Sequence, residues 1–374
     1  MRITGGSVFD LERGFVAREL CTDGGYIAPQ SGDSRVLDAT DCYVIPGLVD
    51  LHFHGCRGED FSDATPDGLQ VMADYELSRG VTYICPAGMT LGEDQLMRIC
   101  RNAAEHRKHA AHGAELVGIH LEGPFLSEAK KGAQNGAYLH APDAAMLHRL
   151  QEAAGGLVKL VTLAPELPGS LEFIHAAEGI TVSIGHTTAD YETACMALDA
   201  GARHVTHLYN AMPPFTHRAP GVIGAAFDRP DTRVELICDG VHIHPSVVRA
   251  TFRLFGAERV ILISDSLRAA GMPDGQYTLG GQDIIVKGNR GTLMDGVTLA
   301  GSVTDLMGCL RQAVQFGIPM ADAVRAASYN PAQVLGILDR AGSLEVGKEA
   351  SLVLLNREDL SVRAILFRGA FVEQ

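Results

Sequence analysis

The chain has no closely spaced cysteine pair, no long apolar run and no excess of positive charge, and each absence excludes a class of protein. Its eight cysteines occur singly, without C-x-x-C spacing, so no disulfide framework is indicated. No apolar run approaches the roughly 20 residues of a membrane-spanning helix. A net charge of −14 argues against broad attraction to nucleic acid or an anionic membrane. A small phosphorylated substrate is still allowed, because it needs only local positive groups.

Targeting signals and repeats are also missing. No basic segment followed by an apolar core opens the sequence, and no internal repeat or low-complexity stretch is evident. Together with the isolated cysteines, this predicts a cytoplasmic protein with free thiols. The 374 residues, 46% of them hydrophobic, suffice for one barrel-sized domain or for one domain plus a smaller one.

Apolar strand-like runs alternate with helical segments through the middle of the chain. The predicted strands are 44–54, 80–86, 115–122, 158–164, 180–186, 204–210, 233–239 and 259–265. This alternation predicts an α/β fold, a (β/α)8 TIM-like barrel. A doubly wound open sheet is the alternative, but it would not bring all eight strand ends to one mouth, where barrel enzymes carry their active sites.

The two chain ends contain short strand runs without a helical period. We predict that residues 1–46 and 341–374 pair into one small β-sandwich domain, leaving 47–340 as the barrel. Two separate decorations of the large domain are the alternative. Glycine-punctuated runs predict a β-hairpin insertion near 275–298, after the eighth strand.

Two histidines stand two residues apart after the first predicted barrel strand. Along an extended strand, His52 and His54 point to the same side, whereas Leu51 and Phe53 face the other way. Two converging neutral imidazoles are the start of a divalent-metal site. The alternative is a pair of buried, hydrogen-bonded histidines.

Further residues of the metal-ligand type stand at later strand ends. Glu122 ends the third strand, His186 the fifth, His207 the sixth, and Asp265 the eighth. A carboxylate at the end of a buried strand is costly unless it binds a cation or a donor. Glu122 could instead cap a neighbouring backbone. The recurrence at one relative depth predicts a metal centre at the barrel mouth.

These residues, with the runs around them, resemble a known enzyme family. The series from His52 to Asp265 resembles the amidohydrolase superfamily. The runs HLEGPF at 120–125, THLYNAM at 206–212 and LAGS at 299–302 resemble the N-acetylglucosamine-6-phosphate deacetylases within it. The resemblance extends over nearly the whole chain. Glutamate on strand three argues against the relatives that bridge two metals with a carboxylated lysine.

The resemblance implies one or two divalent ions per chain. Glu122, His186 and His207 match the ligands of the principal ion, and His52 and His54 match the pair that some members use for a second ion. Imidazole and carboxylate ligands suit zinc, our first choice, as well as iron, manganese or cobalt.

The resemblance also implies the reaction. The acetamide of N-acetyl-D-glucosamine 6-phosphate would be hydrolysed to D-glucosamine 6-phosphate and acetate in amino-sugar catabolism. Asp265 matches the general base that accepts a proton from the attacking water and then donates it to the leaving amine. A divalent metal suits this chemistry because it lowers the pKa of bound water.

Several residues match substrate contacts of the family. They are Ala133, Gln134, Asn210, Ala211, Arg218, His242, Leu299, Ala300 and Gly301. Gln134 stands where several relatives have histidine. Arg218 matches an arginine that reaches the phosphate from a neighbouring subunit, which implies a homodimer. Arg218 could instead be a surface charge, and His242 a structural histidine of strand seven.

Two functional alternatives stay open. The substrate could be another acetamido sugar phosphate, such as N-acetylgalactosamine 6-phosphate. A non-catalytic sugar-phosphate sensor on the same scaffold is the other; its signature, loss of Asp265 or of a metal ligand, is absent. Cys56 could approach the metals or merely pack, and Arg268 could contact substrate or pair with a carboxylate.

Overall fold

The alternating segments fold as parallel strands with helices between them. The computed structural model describes residues 1–373. Seven strands form one parallel sheet, in the order Ala87–Gly88, Ile119–Leu121, Val158–Leu163, Thr181–Ile184, His204–Val205, Arg233–Ile237 and Val260–Ile263. A three-stranded parallel sheet contains Glu115–Leu116, Val81–Ile84 and Leu48–Asp50. The mixed α/β prediction is confirmed, and the carboxyl ends of neighbouring strands come to the same edge.

The helices begin where capping residues stand in the sequence. Asp143, Asp190 and Asp305 each accept a hydrogen bond from a backbone N–H of the first helical turn. Pro66 and Pro245 occupy first helical positions, where a missing N–H costs nothing. The α-helices are Pro66–Ser78, Glu93–His109, Ala144–Ala153, Ser170–Ala176, Tyr191–Ala200, Gly221–Phe227, Pro245–Phe255, Leu306–Gln315, Met320–Ala327 and Tyr329–Val334. Short 3₁₀ helices cover Phe61–Asp63, Glu128–Lys130 and Gly136–Tyr138.

Strands from both chain ends share one sheet. Its six strands, in spatial order, are Ala370–Phe371, Val362–Phe367, Leu352–Asn356, Cys42–Pro46, Ser7–Asp10 and Gly14–Ala17. A four-stranded sheet orders Tyr26–Ala28, Leu20–Asp23, Arg2–Thr4 and Val36–Asp38.

The predicted continuous strand 44–54 is divided in the structure. Cys42–Pro46 pairs antiparallel with Leu352–Asn356, whereas Leu48–Asp50 pairs parallel with Val81–Ile84. The break falls at Gly47, where a Cβ atom would lie 2.3 Å from the Thr82 side chain. The backbone therefore approaches its neighbour too closely at this point for any larger residue.

Residues 275–293 form three antiparallel strands, one more than the predicted hairpin. They are Gly275–Leu279, Gln282–Lys287 and Arg290–Leu293. One face of this sheet is apolar and buried. There Leu279 and Ile284 pack with Leu267 and Ala300 in a small cluster. A further antiparallel pair, Gly55–Cys56 with Glu59–Asp60, follows the two histidines. Within residues 1–373, no helix combines the length and apolarity needed to cross a membrane.

Candidate metal centre and substrate cleft

Three predicted site residues sit in an uncommon backbone conformation directly after their strands. The φ angles are +47° at His186, +27° at His207 and +47° at Asp265. Non-glycine residues rarely adopt positive φ, and such positions cluster at functional sites. The positive φ turns the chain at each of these residues. The side chain therefore does not follow the in–out alternation of the strand and instead points across the carboxyl ends of the strands.

Glu122, His186 and His207 converge on one point. Nε2 of His207 lies 3.0 Å from Oε1 of Glu122, and Nε2 of His186 lies 3.3 Å from the same oxygen. The two Nε2 atoms are 3.0 Å apart. All three side chains are buried, and their ligand-type atoms are close enough to hold one metal ion.

His52, His54 and Asp265 form an adjoining group. Nε2 of His54 lies 3.2 Å from Oδ1 of Asp265 and 3.3 Å from Oε2 of Glu122. Nε2 of His52 lies 3.7 Å from the same Asp265 oxygen and 3.4 Å from Oε1 of Glu122. Glu122 therefore faces both groups, with Oε1 near His52, His186 and His207 and Oε2 near His54.

The hydrogen-bond partners of the histidine Nδ1 atoms favour a divalent cation at these side chains. Nδ1 of His186 lies 2.8 Å from the Lys130 carbonyl, and Nδ1 of His54 lies 3.0 Å from the Ala87 carbonyl. A carbonyl only accepts, so both Nδ1 atoms carry hydrogen and Nε2 is the nitrogen that faces the carboxylate oxygens. A buried carboxylate this close to Nε2 needs positive charge beside it, which either a proton on Nε2 or a divalent cation supplies. Oδ1 of Asp265 also has no hydrogen-bond partner among residues 1–373.

Burial and neighbouring charge shift the pKa values in opposing directions. Burial opposes ionisation of Glu122, but the charge of His52 and hydrogen bonds from other histidines bring its pKa well below the usual range. Burial also opposes ionisation of Asp265, yet the close contact with His54 and the charge of His52 lower its pKa. Burial disfavours charged His54, but Asp265 and Glu122 raise its pKa to about 10. The site thus stabilises carboxylate anions facing positive charge.

A cleft of about 400 Å³ opens over these donors. Its volume suits a small polar ligand. Within residues 1–373, Lys130 is the one lysine or arginine that lines it. The predicted site residues that line it are His54, Glu122, Ala133, Gln134, His186, His207, Asn210, Ala211, His242, Asp265, Leu299 and Gly301.

Two of these lining residues are held by buried polar partners. Gln134 donates from Nε2 to Oε2 of Glu122 at 2.5 Å and accepts the Thr90 N–H at 2.7 Å. His242 donates from Nδ1 to Oδ2 of Asp239 at 2.7 Å, which leaves Nε2 for another partner. Burial opposes ionisation of Asp239, but this contact lowers its pKa.

Comparison with known proteins identifies the family. The amidohydrolase family model matches residues 43–372. An N-acetylglucosamine-6-phosphate deacetylase of Bacillus subtilis is 40% identical over 355 residues, covering 92% of this chain and 89% of that protein. The crystal structure of N-acetyl-D-glucosamine-6-phosphate deacetylase from Mycobacterium smegmatis aligns over 100% of both chains, at 34% identity and a TM-score of 0.92. The chain belongs to the amidohydrolase family, among its N-acetylglucosamine-6-phosphate deacetylases.

A liganded relative has the same fold. An aspartate-to-alanine variant of the Mycobacterium smegmatis deacetylase, in complex with N-acetyl-D-glucosamine-6-phosphate, aligns with a TM-score of 0.91. Its identity to this chain is 35%, over 99% of this chain and 98% of the other. The donor clusters of this amidohydrolase therefore lie in a scaffold closely similar to one that binds an amino-sugar phosphate.

Three predicted site residues of this amidohydrolase do not line the cleft. Arg218 is exposed on the loop after Met212. Ala300 is buried in the apolar cluster under the antiparallel sheet of residues 275–293. His52 lies beneath the cleft, reached only through its neighbours. Arg218 therefore contributes nothing to the lining of this chain's own cleft.

Two side chains with open roles have structural partners. Arg268 pairs with Asp63 at 2.9 Å and Asp60 at 3.3 Å, which favours the carboxylate interpretation over substrate contact. Cys56 is buried, with Sγ 3.9 Å from the Met72 carbonyl, as a packed residue would be.

A layer of buried polar side chains lies beneath the proposed metal ligands and was not predicted from the sequence. Glu235 and His204 are fully buried there, as are His120 and Thr162. His120 Nε2 lies 2.8 Å from Oγ1 of Thr162. A glutamate inside the apolar run Val234–Cys238 was the available signal, because an isolated buried carboxylate needs partners.

Proposed function

We propose that this chain hydrolyses the acetamide of N-acetyl-D-glucosamine 6-phosphate to D-glucosamine 6-phosphate and acetate, in amino-sugar metabolism. One observation carries the proposal: histidine and carboxylate donors from five strand ends converge at the base of a cleft, in a chain of the deacetylase family. The named substrate is the ligand of the relative that aligns over nearly the whole chain.

We infer that the chain holds two divalent ions. Glu122, His186 and His207 would bind one, and His52 with His54 would bind the other, with Glu122 shared. We take zinc as the first choice because imidazole and carboxylate ligands suit it. Such an ion supplies Lewis acidity, which lowers the pKa of a water molecule and polarises a carbonyl oxygen.

Asp265 carries the proton transfers in this mechanism. Its carboxylate stands at the mouth beside His54, and its lowered pKa keeps it ionised at neutral pH. It accepts a proton as water attacks the acetamide carbon, and it then delivers that proton to the amine nitrogen, which leaves as the C–N bond breaks. His242 is held by Asp239 through its Nδ1–H, so its Nε2 would accept a hydrogen bond from a substrate hydroxyl.

We propose that the phosphate binds beside residues 210 and 211. The ammonium of Lys130 lies 3.5 Å from the Met212 carbonyl, which puts the cleft's own positive charge next to this segment. The backbone N–H of Ala211 would add a donor, and that of Asn210, which lies 3.0 Å from the His207 carbonyl, would be shared with that carbonyl. Arg218 of a second copy would complete the site, which makes the enzyme a homodimer.

We infer an eight-stranded barrel with a small β-sandwich from both chain ends. The Asp265 N–H donates to the His52 carbonyl at 2.9 Å, which supports closure between the last and first barrel strands. The shared terminal sheet supports a separate β-domain formed by 1–46 and 341–374 around a 47–340 barrel. We further propose a cytoplasmic location, which cell fractionation tests.

Steady-state kinetics test the activity. We expect efficient acetate release from N-acetyl-D-glucosamine 6-phosphate and a much lower kcat/KM for the unphosphorylated sugar. Asp265→Asn should retain bound metal and substrate affinity but lose at least about 100-fold in kcat, as expected for a general acid–base group. Undiminished turnover by this variant, or preference for the unphosphorylated sugar, would refute the assigned roles.

A further inference from the structure

A single buried carboxylate lies behind two of the proposed metal ligands. Glu235 belongs to strand Arg233–Ile237 and has no exposed surface. Its Oε2 accepts from Nδ1 of His52 at 2.8 Å and from the backbone N–H of His207 at 3.1 Å. Its Oε1 lies 3.0 Å from Nε2 of His204. Both oxygens of this carboxylate are therefore engaged by donors.

The contact with His52 decides which nitrogen faces the metal centre. A carboxylate accepts hydrogen bonds, so Nδ1 of His52 carries a hydrogen, and in the neutral ring Nε2 carries the lone pair. That Nε2 lies toward Glu122 and Asp265 and has no hydrogen-bond partner of its own among residues 1–373. Glu235 thus presents His52 in the tautomer that a metal ligand requires.

Glu235 differs from the groups behind the other histidines. His54 and His186 rest on backbone carbonyls, those of Ala87 and Lys130, whereas Glu235 contributes a full negative charge. A carboxylate behind an imidazole fixes the ring and raises its basicity toward a metal. Its negative charge would also offset the electrostatic repulsion between two adjacent dications. That repulsion weakens binding of the second ion, because the first ion is already bound.

We propose that Glu235 is a positioning residue that sets the orientation and tautomer of His52 and thereby determines binding of the second ion, held by His52 and His54. This inference rests on the proposed two-ion function. Glu235 does not line the cleft, and His52 is the ligand side chain that it contacts. Its hydrogen bond to the His207 backbone leaves the His207 ring untouched, so the principal ion should depend on it less.

The test is a titration of Zn²⁺ into metal-free protein against a competing chelator. For Glu235→Gln, we expect affinity for the second equivalent to fall about 10- to 100-fold, the usual effect of removing a carboxylate behind a ligating histidine. Affinity for the first equivalent should change by less than about 3-fold, since its ligands stay in place. Elemental analysis at limiting zinc should then give about one ion per chain.

Thr162→Val is the matched control. Thr162 lies in the same interior layer and bonds His120, which is not a proposed ligand. This variant should leave both zinc affinities unchanged. A double variant, His52→Ala with Glu235→Gln, should bind the first ion as His52→Ala does, because Glu235 acts through a ring that is already absent. If the glutamine variant does not fold, Glu235→Asp, whose shorter carboxylate draws back from Nδ1, should show the same selective loss.

The outcomes separate this inference from the proposed function. Two ions bound with wild-type affinity in Glu235→Gln, or equal weakening of both steps, would overturn the positioning role. A wild-type protein that takes up two ions but does not release acetate would overturn the proposed reaction alone. A wild-type protein that binds only one ion would overturn both the two-ion site and this inference.

Discussion

Removing the Gln134 amide should loosen the metal centre from outside the ligand set. The side chain bridges the Glu122 carboxylate and the Thr90 N–H, and it is 2% exposed. Its orientation is unambiguous because the carboxylate only accepts and the N–H only donates. Gln134→Leu keeps a similar volume but removes both contacts at once.

The magnitude follows from these two contacts. Loss of a hydrogen bond to a charged group costs about 1.5–3 kcal/mol, and the Thr90 N–H left without an acceptor costs about 1–3 kcal/mol. Because the leucine contributes apolar contacts in return, we expect the metal-free variant to lose about 2–4 kcal/mol of unfolding free energy. With Glu122 less well oriented, metal affinity should fall about 10- to 100-fold, which corresponds to about 1.4–2.8 kcal/mol.

Two assays read these effects separately. Denaturant unfolding of metal-free protein gives the stability change, and zinc titration against a chelator gives the affinity change. Gln282→Leu is the matched control, because Gln282 reaches only the Gln134 backbone carbonyl, at 3.5 Å, and does not contact Glu122. Unfolding within about 0.5 kcal/mol of wild type, together with unchanged zinc affinity, would show that the Gln134 contact does not support Glu122.

Three further predictions follow from other parts of the structure. Chelation should abolish turnover and lower the melting temperature, and zinc at about 100 times its Kd should restore about 2.7 kcal/mol per site; a chelated protein with unchanged melting would contradict the metal centre. Mixing inactive Asp265→Asn with Arg218→Ala should regain activity, because a mixed dimer contains one site with both groups; no gain after subunit exchange would exclude the shared site. Burial opposes ionisation of Glu349, but hydrogen bonds from Arg368 and Tyr83 lower its pKa. Ionised Glu349 therefore stabilises the folded protein above its unfolded pKa of about 4.3, and this contribution is lost as pH falls through the lower folded pKa. Glu349→Gln should therefore lower unfolding free energy at pH 7 and flatten its decline in acid, as measured by urea unfolding at several pH values.

Much of the site was readable because chemistry-bearing residues follow apolar runs at equal depth. Glu122, His186 and His207 were found in this way, and the structure brings their ligand-type atoms together. The strand alternation likewise predicted a mixed α/β fold, and the structure has a seven-stranded parallel sheet. Which roles these residues play stays a prediction that the variants above test.

Other features could not be read from local pattern. Gly47 divides the predicted first strand between two sheets because of a close approach to Thr82, a residue 35 positions away. Positive φ at His186 and Asp265 aims their side chains, yet neither residue type signals that conformation. In the sequence, Glu235 is an isolated polar residue within an apolar strand. Only the tertiary structure brings it the three donors, which are His52, His204 and the backbone N–H of His207.

The sequence by itself determined the α/β alternation, the residue types of the metal centre and the family, because hydrophobic periodicity and motif runs are local properties of the chain. Only the tertiary structure decided which donors face one another, which histidine nitrogen is left for a metal, and which carboxylate supports His52. Those relations join residues that are distant in the sequence, such as His52 and Glu235, which are 183 positions apart. They depend on strand register and side-chain packing, and no single segment carries that information.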